Sequence, residues 1–210
     1  MVTPRLPEAS GERVGQLGSG PPLRLLILGD SAAAGVGVSQ QSQALSGQLT
    51  ARLANKYQLS WQLWAKNGFK SQDILALLAS NPAEPIDVVI LSIGVNDVTS
   101  GVSLKKWAAQ QQQIIALLLG KYSVQHIVFT ALPPMHLFPA LPQPLRWVFG
   151  LRAKQFNALL QSKLASTSHC TFLEFKTPLK AEYMAIDGFH PNDKTYQLWA
   201  QEATQAIQQA

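Results

Sequence analysis

Apolar residues in this chain come in short blocks separated by polar, glycine-rich or proline-rich breaks. Leu23 to Leu28 is a block of strand length that stops abruptly at Gly29-Asp30-Ser31. From Ala44 to Lys56, Ala44, Leu45, Leu49, Leu53 and Ala54 fall at helical spacing, so strand is followed by helix. Trp61 to Ala65 predicts a second strand ending at Asn67-Gly68, and Ile74, Leu75, Leu77 and Leu78 stripe a second helix that Pro82 ends. Ile86 to Ile93, apolar and β-branched, predicts the third strand, closed by Gly94-Val95-Asn96-Asp97, with a helix from about Leu104 to Leu119 after it. His126 to Ala131 predicts the fourth strand. Gly150 to Leu164 predicts a helix, Thr171 to Phe175 a fifth short strand, and Asn192 to Ile207 a terminal helix. The proline-broken stretch from Leu132 to Phe149 is expected to be a packed loop, or short helical turns carrying exposed apolar side chains.

Strands apolar on both faces, alternating with helices, predict a parallel sheet covered on both sides: an α/β fold, a three-layer α/β/α sandwich. Ligands in such sheets bind beyond the carboxyl ends of the strands. Ser31 follows the first strand, Gly68 the second and Asn96 the third, while Asp187 and His190 precede the last helix. All five are therefore expected on one edge.

Length adds that the 210 residues suit a single domain, expected over residues 23–210. Residues 1–22, rich in Pro and Gly, are expected to form an irregular arm that is neither signal peptide nor anchor. No apolar run reaches the roughly 18–20 residues that cross a bilayer, so the chain is expected to be soluble. The single Cys170 permits no intrachain disulfide, and the compartment, cytoplasm or cell envelope, stays open. A net charge of +5 is too small to imply nucleic acid. Its distribution is more informative, because no Asp or Glu occurs between Val98 and Leu173 while Lys105, Lys106, Lys121, Arg146, Arg152, Lys154 and Lys163 do. That stretch reads as a solvated basic face, or as one turned to anionic lipid or an acidic substrate.

Acyl transfer needs a nucleophile, a base, a group that orients the base, and donors for the developing oxyanion. Ser31 is the candidate nucleophile, His190 the base and Asp187 its orienting acid. The backbone N–H groups of Ser31 and Gly68 and the Asn96 amide are the candidate oxyanion hole. Each has a plainer reading alone: Asp and Ser after a strand cap helices, Gly68 serves as a turn glycine, and Asn96 as a cap. Asp30 is expected to hold the turn without a catalytic role. No Gly-x-Ser-x-Gly elbow, Walker lysine or metal-ligand spacing of histidines occurs, and no metal or cofactor is expected.

Gly29-Asp30-Ser31, Gly68, Gly94-Val95-Asn96-Asp97 and Asp187-Gly188-Phe189-His190 resemble the four motif blocks of the SGNH/GDSL hydrolases. Ala32 stands where that family usually has leucine, and the block around Gly68 is a loose match. The resemblance, greatest to the bacterial lysophospholipase and acyl-esterase branch, implies a flavodoxin-like five-stranded sheet in the order 2-1-3-4-5. It also implies metal-free hydrolysis of acyl esters, including lysophospholipids or acyl thioesters, through an acyl-enzyme on Ser31.

Phe138, Leu141, Trp147 and Phe149 are candidates to line or cover an acyl pocket, with peripheral contact to membrane lipid through Arg146 and Arg152; the alternative is a loop packed into its own domain. A carbohydrate O-acetylesterase and a non-catalytic ligand-binding α/β domain remain as other readings, and the sequence leaves the oligomeric state open.

Overall fold

The computed structural model describes residues 4–165, 167–175 and 181–209. The first three residues of the expected arm lie outside them. The strands are β1 (Val14–Leu17), β2 (Pro22–Gly29), β3 (Gln58–Ala65), β4 (Val88–Ser92), β5 (His126–Thr130) and β6 (Cys170–Leu173). The helices are α1 (Leu45–Leu53), α2 (Ser71–Ser80), the short α3 (Val95–Thr99), α4 (Leu104–Lys121), α5 (Leu145–Leu164) and α6 (Asp193–Gln208). They form one sheet in the order β1-β3-β2-β4-β5-β6, in which β1 alone is antiparallel to its neighbour.

Alternation along the strands builds the three layers, because successive side chains leave a strand on opposite faces. Leu26, Leu28, Val89, Leu91, Ile127 and Phe129 pack on one face with Ile74 and Leu78 of α2, Trp107, Ile114 and Leu118 of α4, and Phe156 and Leu160 of α5. Leu25, Ile27, Val88, Ile90 and Val128 pack on the other with Leu45, Leu49 and Leu53 of α1 and Tyr196, Trp199, Ala200 and Ala203 of α6. Truncating such a buried leucine to alanine typically costs about 2–5 kcal/mol. Arg24 interrupts the apolar run of β2 at its exposed start, where it donates from Nε and Nη2 to the two carboxylate oxygens of Asp87.

Two expectations are corrected. The five parallel strands, β3-β2-β4-β5-β6, have the order 2-1-3-4-5, but the sheet has six strands. The sixth, β1, comes from the segment expected to be an irregular arm. It forms because Val14–Leu17 alternates exposed and half-buried positions along the open edge of β3, where unpaired backbone groups accept another strand. Gly15 allows the approach, since a Cβ there would lie 2.8 Å from the Trp61 indole nitrogen. Between Leu132 and Phe149, the chain forms a one-turn 3-10 helix at Met135–Leu137 and then enters α5 at Leu145, five residues before the expected start. Pro144 sits at the helix N-cap, where its missing N–H disturbs no intrahelical bond. Among the described residues no helix is long and apolar enough to cross a membrane.

Asp30 and Asp97 are buried at the carboxyl edge, as is Asp187. Burial pushes the Asp30 carboxyl up to about 7, with the Asp97 charge adding to the rise and the Ala32 N–H opposing it. The unfolded chain releases this proton near the ordinary carboxylate value, so over the interval up to about 7 the native state binds more protons than the unfolded state. The contribution of Asp30 is thus most favourable at low pH and is lost as pH rises through its folded-state value. Asp30→Asn keeps an acceptor for Ala32 and carries no charge. Its unfolding free energy relative to wild type should improve by on the order of 2 kcal/mol between about pH 5 and pH 8; denaturant titrations of both proteins at the two pH values measure this, and a constant difference refutes it.

Candidate active site

The turn after β2 is made possible by glycine. A Cβ on Gly29 would sit 2.2 Å from the carbonyl oxygen of Ser92 in the neighbouring strand, so no side chain is tolerated where β2 leaves the sheet. Asp30 accepts from Ala34 N–H through its carbonyl at 2.9 Å and from Ala32 N–H through Oδ1 at 3.1 Å, and Ser31 accepts from Val36 N–H at 3.0 Å. Asp30 therefore holds the turn that presents Ser31. The Tyr196 hydroxyl, from α6, lies 2.9 Å from the Ala32 carbonyl and 2.7 Å from that of Val36, bracing the turn from below.

Asp187 and His190 reach this turn from the segment before α6. That segment is closed on itself by Ala185 N–H donating to the His190 carbonyl at 2.8 Å and Gly188 N–H donating to the Ala185 carbonyl at 2.9 Å. Gly188 has φ of 64°, the left-handed backbone that a tight turn needs. His190 Nε2 is 3.1 Å from Ser31 Oγ, and Nδ1 is 2.5 Å from Asp187 Oδ2. The carboxylate beside Nδ1 assigns the proton to that nitrogen and leaves the Nε2 lone pair for the serine hydroxyl. Burial pushes the Asp187 carboxyl up, but the His190 ring and the backbone N–H groups of His190 and Phe189 outweigh it and hold the carboxyl below its ordinary value. Asp187 is therefore an ionised acceptor at neutral pH.

Gly68 lies in the turn after β3 with φ of 86° and open space around it. Asn96, in α3 beyond β4, donates from Nδ2 to the carbonyl of Phe69 at 2.9 Å, joining the two loops and orienting the amide. Beneath them is a network to which the sequence assigned no role. Asp97 accepts from the Ser71 N–H at 3.1 Å and from its hydroxyl at 3.0 Å, and Gln111 of α4 donates to the same hydroxyl at 2.8 Å. Asp97, Ser71 and Gln111 are all buried, and together they fix the start of α2 against the turn that carries Asn96. The N-terminal segment adds a second clamp: Glu8 accepts from the Asn67 N–H at 2.6 Å and from Arg13 at 3.0 Å, while Arg13 also donates to the Ala65 carbonyl. The only signal for Asp97 was its place beside Asn96, and Glu8 carried none.

An apolar cavity opens at Ser31 and His190. Leu132, Pro133, Phe138, Phe175, Met184, Phe189 and Trp199 line it, with Asp30 and Thr130 among the few polar contributions. Phe138 meets Phe189 edge-on at 5.0 Å. The other three candidate pocket residues lie elsewhere: Leu141 and Phe149 pack against the core, and Trp147 is 59% exposed on α5. Proline breaks at both ends of the segment concealed that α5 starts early and turns Trp147 outward.

Solved structures share this fold at low identity. The lipase Lip_vut3 from a goat rumen metagenome matches with a TM-score of 0.70 and 18% identity, over 88% of this chain and 97% of its own. Est24, a carbohydrate acetylesterase from Sinorhizobium meliloti, matches at 0.66 and 17%, over 89% of this chain and 98% of its own. Axe2, an acetylxylan esterase from Geobacillus stearothermophilus, matches at 0.65 and 18%, over 90% and 95%. No curated protein sequence matches the chain. The profile of the GDSL-like lipase/acylhydrolase family matches residues 27–198, a span that contains all four motif blocks, and the chain belongs to that family.

Proposed function

We propose that this protein hydrolyses carboxylic acyl esters through an acyl-enzyme on Ser31, with His190 as general base and Asp187 as the residue that orients it. The observation that carries the reading is the continuous chain from Asp187 Oδ2 through the imidazole to Ser31 Oγ, at 2.5 and 3.1 Å. His190 Nε2 takes the hydroxyl proton as Oγ bonds to the ester carbonyl carbon, and the carbonyl electron pair moves to oxygen. The backbone N–H groups of Ser31 and Gly68 and the Asn96 amide are the donors for that oxyanion. Collapse of the intermediate breaks the bond to the alcohol oxygen, which takes the proton from His190. Water then gives a proton to Nε2 as its oxygen bonds to the acyl carbon, and the second collapse releases the acid and returns the proton to Ser31.

The lining of the cavity supports a finer reading of the substrate. Leu132, Phe138, Met184 and Phe189 offer contact to methylene groups, each worth about 0.8 kcal/mol when buried, whereas an acetyl group would leave most of that wall untouched. That lining favours a fatty acyl ester, and esters of that kind reside in lipid assemblies, so peripheral contact with membrane lipid belongs to this reading. The carbohydrate acetylesterases among the structural neighbours make short-acyl specificity the competing outcome.

A fluorophosphonate probe should label the folded wild type at Ser31 and leave Ser31→Ala unlabelled; labelling of both, or of neither, refutes the nucleophile. Asn96→Ala should lower kcat by about 10²–10³-fold, the typical loss for one oxyanion donor, with the fold intact by circular dichroism. An unchanged kcat removes Asn96 from the oxyanion hole. Across acyl esters from acetyl to dodecanoyl, kcat/KM should rise with chain length in wild type, and Phe138→Ala should move the optimum to longer chains. A maximum at acetyl in both proteins selects the carbohydrate acetylesterase reading instead.

A further inference from the structure

The outer face of α5 breaks the rule that a surface helix turns polar residues to water. Trp147, Val148 and Leu151, 59%, 37% and 43% exposed, lie on its outward side, while Phe149, Gly150, Ala153 and Phe156 face inward. Leu145 and Leu137, each 47% exposed, extend the patch to the preceding 3-10 turn, and Ile186, 86% exposed, stands in the segment that carries His190. Exposed apolar side chains concentrated in this way mark a contact surface. Their positions follow the cavity: Leu137 adjoins cavity-lining Phe138, and Ile186 lies between cavity-lining Met184 and Phe189. Backbone packing ties these segments together. Ala140 N–H donates to the Gly188 carbonyl at 3.2 Å. A Cβ on Gly150 of α5 would come within 2.9 Å of the His136 nitrogen.

We propose that this face docks the enzyme onto a lipid bilayer carrying anionic headgroups, so that the mouth of the cavity opens toward the acyl chains. The occupant follows from charge. Arg146 and Lys154 flank the apolar residues on α5, and exposed Lys105 and Lys106 begin α4 next to Val102, whose carbonyl accepts from Arg152 of α5 at 2.6 Å. The sequence between Val98 and Leu173 carries no carboxylate, and Glu174, which lines a groove with Leu137 and Lys154, sets one negative charge against these cations. Cations around apolar side chains match an anionic interface, where headgroups meet the lysines and the apolar side chains enter the acyl boundary. A second copy of this chain fits poorly, because a two-fold contact places the same cations opposite one another. The docking deepens the acyl-ester reading and rests on it only for its benefit to catalysis.

The test is flotation of the full chain with phosphatidylglycerol vesicles and with phosphatidylcholine vesicles, read together with tryptophan emission. Trp61, Trp107 and Trp199 are buried and Trp64 is partly so, which makes Trp147 the main reporter of a blue shift. Wild type should partition at least about tenfold more strongly to the anionic vesicles. Val148→Gln/Leu151→Gln should weaken that partition by about tenfold or more while turnover of a soluble short ester stays at wild-type level. Should that variant misfold, Lys105→Glu/Lys106→Glu supplies the second arm, with a loss of about fivefold per lysine on anionic vesicles alone. Equal partition of wild type and variants overturns the docking, as does a wild type that ignores vesicles but forms a dimer which Val148→Gln/Leu151→Gln dissociates. Soluble-ester turnover without vesicle binding rejects the surface and leaves the esterase standing; vesicle binding by a protein without ester turnover does the reverse.

Discussion

The site depends on two places where backbone passes so close to backbone that no side chain fits. At Gly29 the turn leaves the sheet 2.2 Å, measured from an added Cβ, from the Ser92 carbonyl. At Gly37 it passes 2.0 Å, measured the same way, from the carbonyl of Pro191. Ser31 lies on the stretch between these contacts and His190 immediately precedes Pro191. The separation of Ser31 and His190 is therefore set by the sheet on one side and by packed backbone on the other, with the Tyr196 hydroxyl bracing the stretch between. This is preorganisation in a material sense, because the two side chains are held by elements whose own positions are fixed by core packing.

That arrangement has a cost in buried charge. Asp30 holds the turn through one side-chain bond to Ala32 and sits in a site where burial disfavours its ionised form. Asp97 is likewise pushed up by burial, with the Ser71 N–H and hydroxyl opposing the rise. A hydrocarbon core would avoid both penalties, but it could not brace these loops. Directional hydrogen bonds to Ser71 fix α2 relative to α3, and a packed leucine imposes no such alignment. Stability here is subordinate to the placement of Ser31 and Asn96, which is where local rules are expected to be broken.

Much of this was legible in the sequence because it depends on short-range patterns. The strands before Ser31 and Asn96 carry continuous apolar runs and the one before Gly68 is a short, mostly apolar one, and parallel connectivity puts their ends on one edge without further information. What escaped was set by tertiary contact. Val14–Leu17 has weak strand character and becomes β1 only because β3 presents an open edge and Gly15 can lie over Trp61. Glu8 and Arg13 read as part of a polar arm, yet they hold the Gly68 loop from some fifty residues away in sequence. The use of Gly35 and Gly37, close approach to Ala9 and Pro191, depends on segments distant in the chain. Trp147, a candidate to line or cover the pocket, is turned outward by the helical phase of α5.

The segment from Leu132 to Leu151 lies outside the sheet, and two different demands meet in it. Its inner side gives Leu132 and Phe138 to the cavity, while its outer side carries the exposed apolar residues of α5. Asn157 anchors the segment by accepting from the Leu132 N–H at 2.8 Å and donating to its carbonyl at 2.9 Å, so the end of β5 is tied directly to the middle of α5. A shift of α5 at its outer face is therefore coupled to the wall beside Ser31 through that pair of bonds and through the Gly150–His136 contact. Only about one and a half helical turns separate Leu151 from Asn157. A contact made along the first turns of α5 thus acts on the same rigid element that positions the cavity wall, and one segment joins the exposed apolar face to the cavity.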